Sequence, residues 1–224
     1  SLMEIANPKS SYASFVYTAD SVELGRYYAG SGNRIYAETD EIPEILVKAL
    51  VATEDVRFYE HSGIDVKSMF RAIIKTGIMG EDAAGGGSTL TQQLAKLIYT
   101  EKPARDKFER AMQKPVEWMI ALKLERNYSK SEMIALYLNR FDFLYNAVGI
   151  KSAANVYFGK EPRDLTMEEC ALLVGMVKNP AYYNPIKNPE RALERRNVVF
   201  NQMEKAGYLT ATEVEELKQK PLGV

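Results

Sequence analysis

The sequence predicts a mainly α-helical domain with a short β-hairpin at its N-terminus. Three observations carry this. Apolar residues recur at the helical period from Pro43 onward, pairs with capping-box spacing punctuate that period, and strict alternation is confined to the segment before it. No strand–helix–strand alternation or internal repeat interrupts the pattern. With 224 residues, 46% of them hydrophobic, the chain can bury a substantial core.

The elements follow in order. SYASFVYTAD and SVELGRYYAG alternate around Asp20-Ser21 as two strands of a hairpin, and GSGN (30–33) makes a second turn before RIYAE. Pro43 opens EILVKALVATED, with Ile45, Leu46, Ala49 and Leu50 on one face. Asp65 is the expected N-cap of VKSMFRAIIKTGIM, which should end at Gly80. EDAAGGGS reads as a flexible loop, and Thr89 with Gln92 has the spacing to cap TLTQQLAKLIY. A charged stretch, TEKPARDKFER, leads into AMQKPVEWMIALKLERNY, where Pro115 is expected to break or kink the helix. Ser129 with Glu132, Thr166 with Glu169 and Thr210 with Glu213 cap three later helices. Asn188-Pro189 opens a long helix that stops at Gly207. Residues 1–40 therefore divide off as a hairpin and linker, and 41–221 as the main domain.

Composition excludes several classes. A net charge of −1 gives no footprint for nucleic acid. A single cysteine, Cys170, excludes an intramolecular disulfide framework and a Cys-cluster metal site, and its apolar helical setting reads as an inert buried thiol. The one histidine, His61, argues against a His-rich metal site or a Ser-His-Asp triad. No stretch reaches the roughly 18 apolar residues of a membrane span, and no signal peptide is visible. Ser1-Leu2-Met3 reads as a vector scar, which would make the chain an excised piece of something longer.

Four stretches could carry chemistry. ATEDVRFYEHSGID sets Glu54 and Asp55 at the end of an apolar helix, where the macrodipole repels acids by up to about 1 kcal/mol each. Such placement asks for a reason other than helix stability. In GGGSTLTQQLAK, glycines allow close backbone approach and a helix N-terminus offers N–H groups to an anion, although the Walker pattern is absent. The plain alternative is a loop before a well-capped helix; against it, Gln92 and Gln93 sit together in an apolar helix and Lys96 lies one turn on from Gln92. In QKPVEWMIALKLER, Lys114 and Glu117 are three apart, by themselves a surface pair worth about 0.2–0.5 kcal/mol. KNPAYYNP is an ordered loop by composition. MFRAIIKTGIM reads as a core helix by default and a membrane-surface helix as the sharper reading.

Together and in order, ATEDVRFYEHSGID, GGSTLTQQLAK, KPVEWMIALKLERNYSKSEMIALYLN, AANVYFGK and NPAYYNP resemble the successive motifs of family 51 peptidoglycan glycosyltransferases. Those are the polymerase domains of class A penicillin-binding proteins and monofunctional transglycosylases. The resemblance runs from about Ile35 to Pro221. It implies a lysozyme-like two-lobed helical domain, with a smaller, membrane-associating lobe around 66–110. It implies that lipid II and a growing lipid-linked glycan are polymerised with inversion, releasing undecaprenyl pyrophosphate at the outer face of the bacterial cytoplasmic membrane. A membrane anchor and a penicillin-binding transpeptidase domain, both missing here, are implied in the full-length protein.

The resemblance also assigns residues. Glu54 matches the catalytic base. Glu117 matches a second glutamate that orients the pyrophosphate site or binds a divalent cation such as Mg2+ or Mn2+; no other cofactor is implied. Ser88, Thr89, Lys96 and Lys114 match the pyrophosphate cradle, Gln92 and Gln93 the cleft lining, and Asn184 the last motif. Asp55, Phe58, His61 and Gly63 belong to the first motif as structural residues. The third motif departs from the family's Arg-Lys-x-x-Glu, reading Gln113-Lys114-Pro115-Val116-Glu117, and a further arginine that the resemblance implies shortly after Lys96 has no direct match, with Arg105 and Arg110 as alternative stand-ins. Two rival readings stay open: a non-catalytic glycan- or lipid-binding module, and a lytic transglycosylase or muramidase with Glu54 as an acid. A cleaving enzyme would need no pyrophosphate cradle.

Overall fold

A computed structural model of the chain describes residues 13–17, 23–28, 33–34, 36–71, 87–99 and 107–224. β1 (Ala13–Tyr17) and β2 (Glu23–Tyr28) pair antiparallel as the expected hairpin, with Ala13 opposite Tyr28 and an irregularity at Val16/Tyr17. β3 (Asn33–Arg34) runs parallel to β4 (Ala147–Val148), a long-range pairing that local alternation does not reveal. The helices are α1 (Glu44–Glu54), α2 (Leu90–Tyr99), α3 (Lys107–Asn127), α4 (Lys130–Arg140), α5 (Ile150–Phe158), α6 (Met167–Val177), α7 (Pro189–Lys205) and α8 (Ala211–Lys218). A further helical stretch covers 66–71. The expected turns at Asp20-Ser21 and 30–32, the helix end at Gly80, the loop 81–86 and Arg105 lie outside the described residues, as does much of the expected smaller lobe.

Local chemistry sets most helix starts. Ser129 Oγ accepts from the Glu132 N–H at 3.2 Å while the Glu132 carboxylate accepts from the Ser129 N–H at 2.7 Å, and the reciprocal pairs Thr166/Glu169 and Thr210/Glu213 start α6 and α8. Each satisfies N–H groups that a helix leaves orphaned. Asp65 accepts from Ser68 N at 3.2 Å and Ser68 Oγ at 2.6 Å, as an N-cap of 66–71 should. Of the break or kink expected at Pro115, the break does not occur: α3 begins at Lys107 and runs through Pro115. Proline removes one backbone bond, but Pro115 is exposed, so the loss falls on a face where water serves the orphaned carbonyl. The rest of α3 is held by packing against α2.

α6 forms the centre, buried continuously from Glu169 to Val177. α7 packs along it, α1 packs against both, and α2 packs on α3 and α4. Leu46 and Leu50 of α1, Leu94 of α2, Leu138 of α4, Leu173 of α6 and Phe200 of α7 share one apolar cluster. Arg196 breaks the apolar stripe of α7 yet is fully buried; its Nη1 donates to the carbonyls of Lys220 and Pro221 at 2.8 and 2.9 Å, tying the segment after α8 to the core. Among the described residues no helix is long and apolar enough to cross a membrane.

Asn139, buried on α4, secures the chain entering α1. Its Oδ1 accepts from Ala37 N at 2.8 Å and its Nδ2 donates to Ala37 O at 2.8 Å. Asn139→Ala should leave both backbone groups of a fully buried residue unpaired and cost about 2–4 kcal/mol in urea unfolding. A loss below about 0.5 kcal/mol would show that the clamp is not needed.

Candidate active site

The end of α1 and the start of α2 meet at one carboxylate. Asp55 caps α1 in a non-helical conformation (φ −156°, ψ 72°), and its Oδ2 accepts from the backbone N–H of Leu90 at 2.9 Å. The charge rejected by the negative end of α1 thus sits at the positive end of α2. The same oxygen lies 2.8 Å from His61 Nε2. Because the Gly63 N–H donates to His61 Nδ1 at 3.1 Å, the proton of the neutral ring is on Nε2 and points at Asp55.

The loop between is pinned at several places. Thr89 Oγ1 donates to Gly63 O at 2.6 Å. Gly63 has φ +96°, and a Cβ there would meet Glu125 Cγ at 3.1 Å and the Ala121 backbone at 3.3 Å, so the loop rests directly on α3. Lys130 donates to His61 O and Glu125 Oε1, both at 2.8 Å, and lies 4.5 Å over the ring of the buried Phe58.

Glu54, last residue of α1, consequently faces α2 and α7. Its Oε2 accepts from Gln93 Nε2 at 3.3 Å and its Oε1 pairs with Arg195 Nη2 at 3.3 Å. Gln93 Oε1 in turn accepts from the buried Tyr137 hydroxyl at 3.0 Å. Burial pushes the Glu54 carboxyl above its ordinary value and Asp55 adds to that, while Arg195, Gln93 and Lys178 pull it down.

A second group gathers before α2. Lys114 Nζ donates to Ser88 Oγ at 3.2 Å and lies 3.3 Å from Glu117 Oε2, whose side chain is 1% exposed. Thr89 and Gln92 cap each other instead of standing open: Thr89 N donates to Gln92 Oε1 at 3.0 Å and Gln92 N to Thr89 Oγ1 at 3.1 Å. With Leu90 N–H given to Asp55, these first-turn donors already have protein partners. Gln92 Nε2 remains buried without one. Lys96 is exposed on α2, beyond the direct contacts of Glu54.

Asn184 is buried and accepts from Ile186 N and Lys187 N at 3.0 Å; its Nδ2 donates to the Tyr145 hydroxyl at 3.0 Å. That hydroxyl belongs to a turn with three successive left-handed residues that are not glycine, Leu144, Tyr145 and Asn146. Each costs of order 1 kcal/mol or more, a strain that persists where surroundings enforce it.

Residues 20–204 match the family described as Transglycosylase. The chain belongs to this family, the family 51 peptidoglycan glycosyltransferases. The transglycosylase domain is 42% identical over 215 residues to penicillin-binding protein 1A of Aquifex aeolicus (strain VF5), covering 95% of this chain and 28% of that protein. It is 39% identical to penicillin-binding protein 1A/1B of Bacillus subtilis (strain 168), over 94% of this chain and 22% of the relative. It is 38% identical to penicillin-binding protein 1A of Escherichia coli (strain K12), over 92% of this chain and 23% of the relative. The fold is similar to that of penicillin-binding protein 1A from Haemophilus influenzae, with a TM-score of 0.52 at 23% identity over 95% of this chain and 20% of that one. The chain spans about a quarter of the length of these curated relatives.

Sequence reasoning missed three neighbours of Glu54 in this transglycosylase domain: Arg195, Lys178 and Tyr137. Arg195 follows no local pattern, although a double arginine beside an apolar stripe was a signal that this turn of α7 does more than solvate. Its stem packs on Gly175 of α6, where a Cβ would come within 3.1 Å of Arg195 Cγ, and its guanidinium lies 5.7 Å from the Tyr183 ring centre. The described surroundings of Lys114 hold no arginine partner to it, and the side chain of Arg110 lies outside the described residues.

Arg195 favours the ionised form of Glu54, so removing it should raise the Glu54 midpoint further. In a carboxyl-13C NMR titration, Arg195→Met is expected to move that midpoint upward by about one pH unit. An unmoved or lowered midpoint would show that the ion pair does not set the protonation of Glu54.

Proposed function

We propose that this domain polymerises lipid II into β-1,4-linked glycan, with inversion at the anomeric carbon and release of undecaprenyl pyrophosphate. One observation carries the reading: a half-buried carboxylate, its side chain 13% exposed, held by Arg195 and Gln93, with a lysine–serine pair at the start of the helix that supplies Gln93. A base and an anion cradle are the two things the reaction needs.

In the proposed step, Glu54 takes the proton of the acceptor sugar's 4-hydroxyl as its oxygen bonds to the donor's anomeric carbon. The bond from that carbon to the pyrophosphate breaks, and its electron pair leaves on a phosphate oxygen. Lys114 meets that charge, and Ser88, which accepts from Lys114, has its own O–H to donate. Glu117 holds the Lys114 ammonium in place from a buried position. Lys96 extends the positive surface along α2, while Gln92 Nε2 offers a donor and Asn184 fixes the last loop. Thr89 acts through capping.

Among the described residues no trio of His, Cys, Asp or Glu converges as a protein-held metal would require, and Glu117 Oε2 lies 3.3 Å from the Lys114 ammonium. Within those described residues the donor set does not fit a resident cation. Val66 and Phe70, one turn apart and both exposed, support contact of that helix with a lipid surface, as does the exposed stripe Met112, Met119 and Leu122 on α3. We place the reaction at the outer face of the cytoplasmic membrane, with a transpeptidase fused to or acting beside this domain.

A glycan-cleaving reading would need Glu54 as a neutral acid. Burial favours that form, but donors on both carboxylate oxygens favour the base. With labelled lipid II in detergent, the chain should yield a glycan ladder and Glu54→Gln none; a substantial ladder from the variant would refute the base assignment.

The same substitution makes a stability prediction. A carboxyl whose folded value is raised holds its proton more tightly in the fold than in the unfolded chain, so ionising Glu54 costs stability as pH rises above its ordinary 4.5. Glu54→Gln removes that cost. Its Tm at neutral pH should equal or exceed that of the unsubstituted chain, and any gain should vanish as pH falls towards 4.5. A lower Tm at neutral pH would mean that the carboxylate is a net stabiliser.

A further inference from the structure

Gln93 has two chemically opposite ends and the structure uses both. Nε2 donates to Glu54 Oε2 at 3.3 Å, and Oε1 accepts from the Tyr137 hydroxyl at 3.0 Å. Tyr137 comes from α4 and is 2% exposed, so its O–H has little access to water. In the flipped amide, Gln93 Oε1 would face the Glu54 carboxylate and the buried hydroxyl would lose its acceptor. Both losses are expensive away from water. A protonated Glu54, by contrast, could donate to that flipped oxygen. The amide therefore has two orientations, one suited to the ionised base and one to the neutral acid.

Resting on Glu54 as the base, we propose that Tyr137 is a positioning residue for the reaction. Its hydroxyl locks the Gln93 amide with the N–H towards Glu54 and so keeps the carboxylate ready to take a proton. Tyr137 touches neither substrate nor reacting atoms in this role; it acts through Gln93. The other groups facing Glu54 are Arg195 of α7, Lys178 just beyond α6 and the adjacent Asp55. The two cations also favour the ionised form, so loss of the lock weakens the base without abolishing it. Burial raises the Tyr137 hydroxyl well above the ordinary tyrosine value, with Glu54 adding to this, so it remains a donor wherever Glu54 titrates.

The test is the pH–rate profile of lipid II polymerisation by the whole chain carrying Tyr137→Phe, which keeps the ring and removes the hydroxyl. The acid limb should move up by about one pH unit, with kcat at a pH on that limb lower by up to about tenfold and KM within about twofold. Gln93→Leu should move the limb the same way, and adding Tyr137→Phe to it should change nothing more. A lowered Tm with an unmoved limb, or additive losses in the double variant, would make Tyr137 a packing residue and overturn the proposal. Glu54→Gln run alongside separates the two readings. If it still polymerises, the base assignment fails. If it is inactive while Tyr137→Phe keeps the normal limb, only the amide lock fails.

Discussion

The carboxylate of Asp55 joins two helix ends, and the placement of the site follows from that junction. One oxygen receives the His61 ring and the first backbone N–H of α2, at 2.8 and 2.9 Å. Without it, the negative end of α1 and the positive end of α2 would have no shared counter-charge, and the turn of α2 that carries Gln93 would lose its direct tie to the end of α1. The two adjacent acids, each unfavourable where it stands in α1, are resolved differently. Asp55 is neutralised by the next helix. Glu54 is left facing cations from α7 and from just beyond α6, in a setting that holds its proton more tightly than water does. That setting suits the role of base proposed for Glu54.

Local signals were legible and long-range ones were not. Capping boxes at Ser129, Thr166 and Thr210 could be seen in the sequence because the residues that form them are three apart and their bonds are made within one turn. The Thr89/Gln92 spacing was equally visible, but its consequence was not. The same donors cannot both close the cap and stand open to an anion, and the structure uses them for the cap. No break occurs at Pro115 because the packing of α2, which helix propensity leaves out, holds α3 together. The pairing of β3 with β4 and the Asn139 clamp on Ala37 join segments far apart in sequence, which no period or cap encodes.

The candidate site divides in the same way. Glu54, Gln93, Lys114 and Glu117 were visible as polar residues at informative spacings or through family resemblance. Arg195 and Tyr137 were hidden because each sits beside or within an apolar helical stripe and becomes meaningful only when α4 and α7 meet α1. Partial burial of these polar groups is tolerable because they are chained: Tyr137 to Gln93, Gln93 to Glu54, Glu54 to Arg195.

The central claim is that placement by Asp55, as much as the acidity of Glu54, makes this site work. Lipid II polymerisation by Asp55→Ala, at a temperature where circular dichroism shows the helices intact, tests it most directly. Every group assigned a chemical role is untouched in that variant. The rate should fall by about a hundredfold or more, as misplacement of a base by about 1 Å would cause. A rate within a few-fold of the unsubstituted chain would contradict the account.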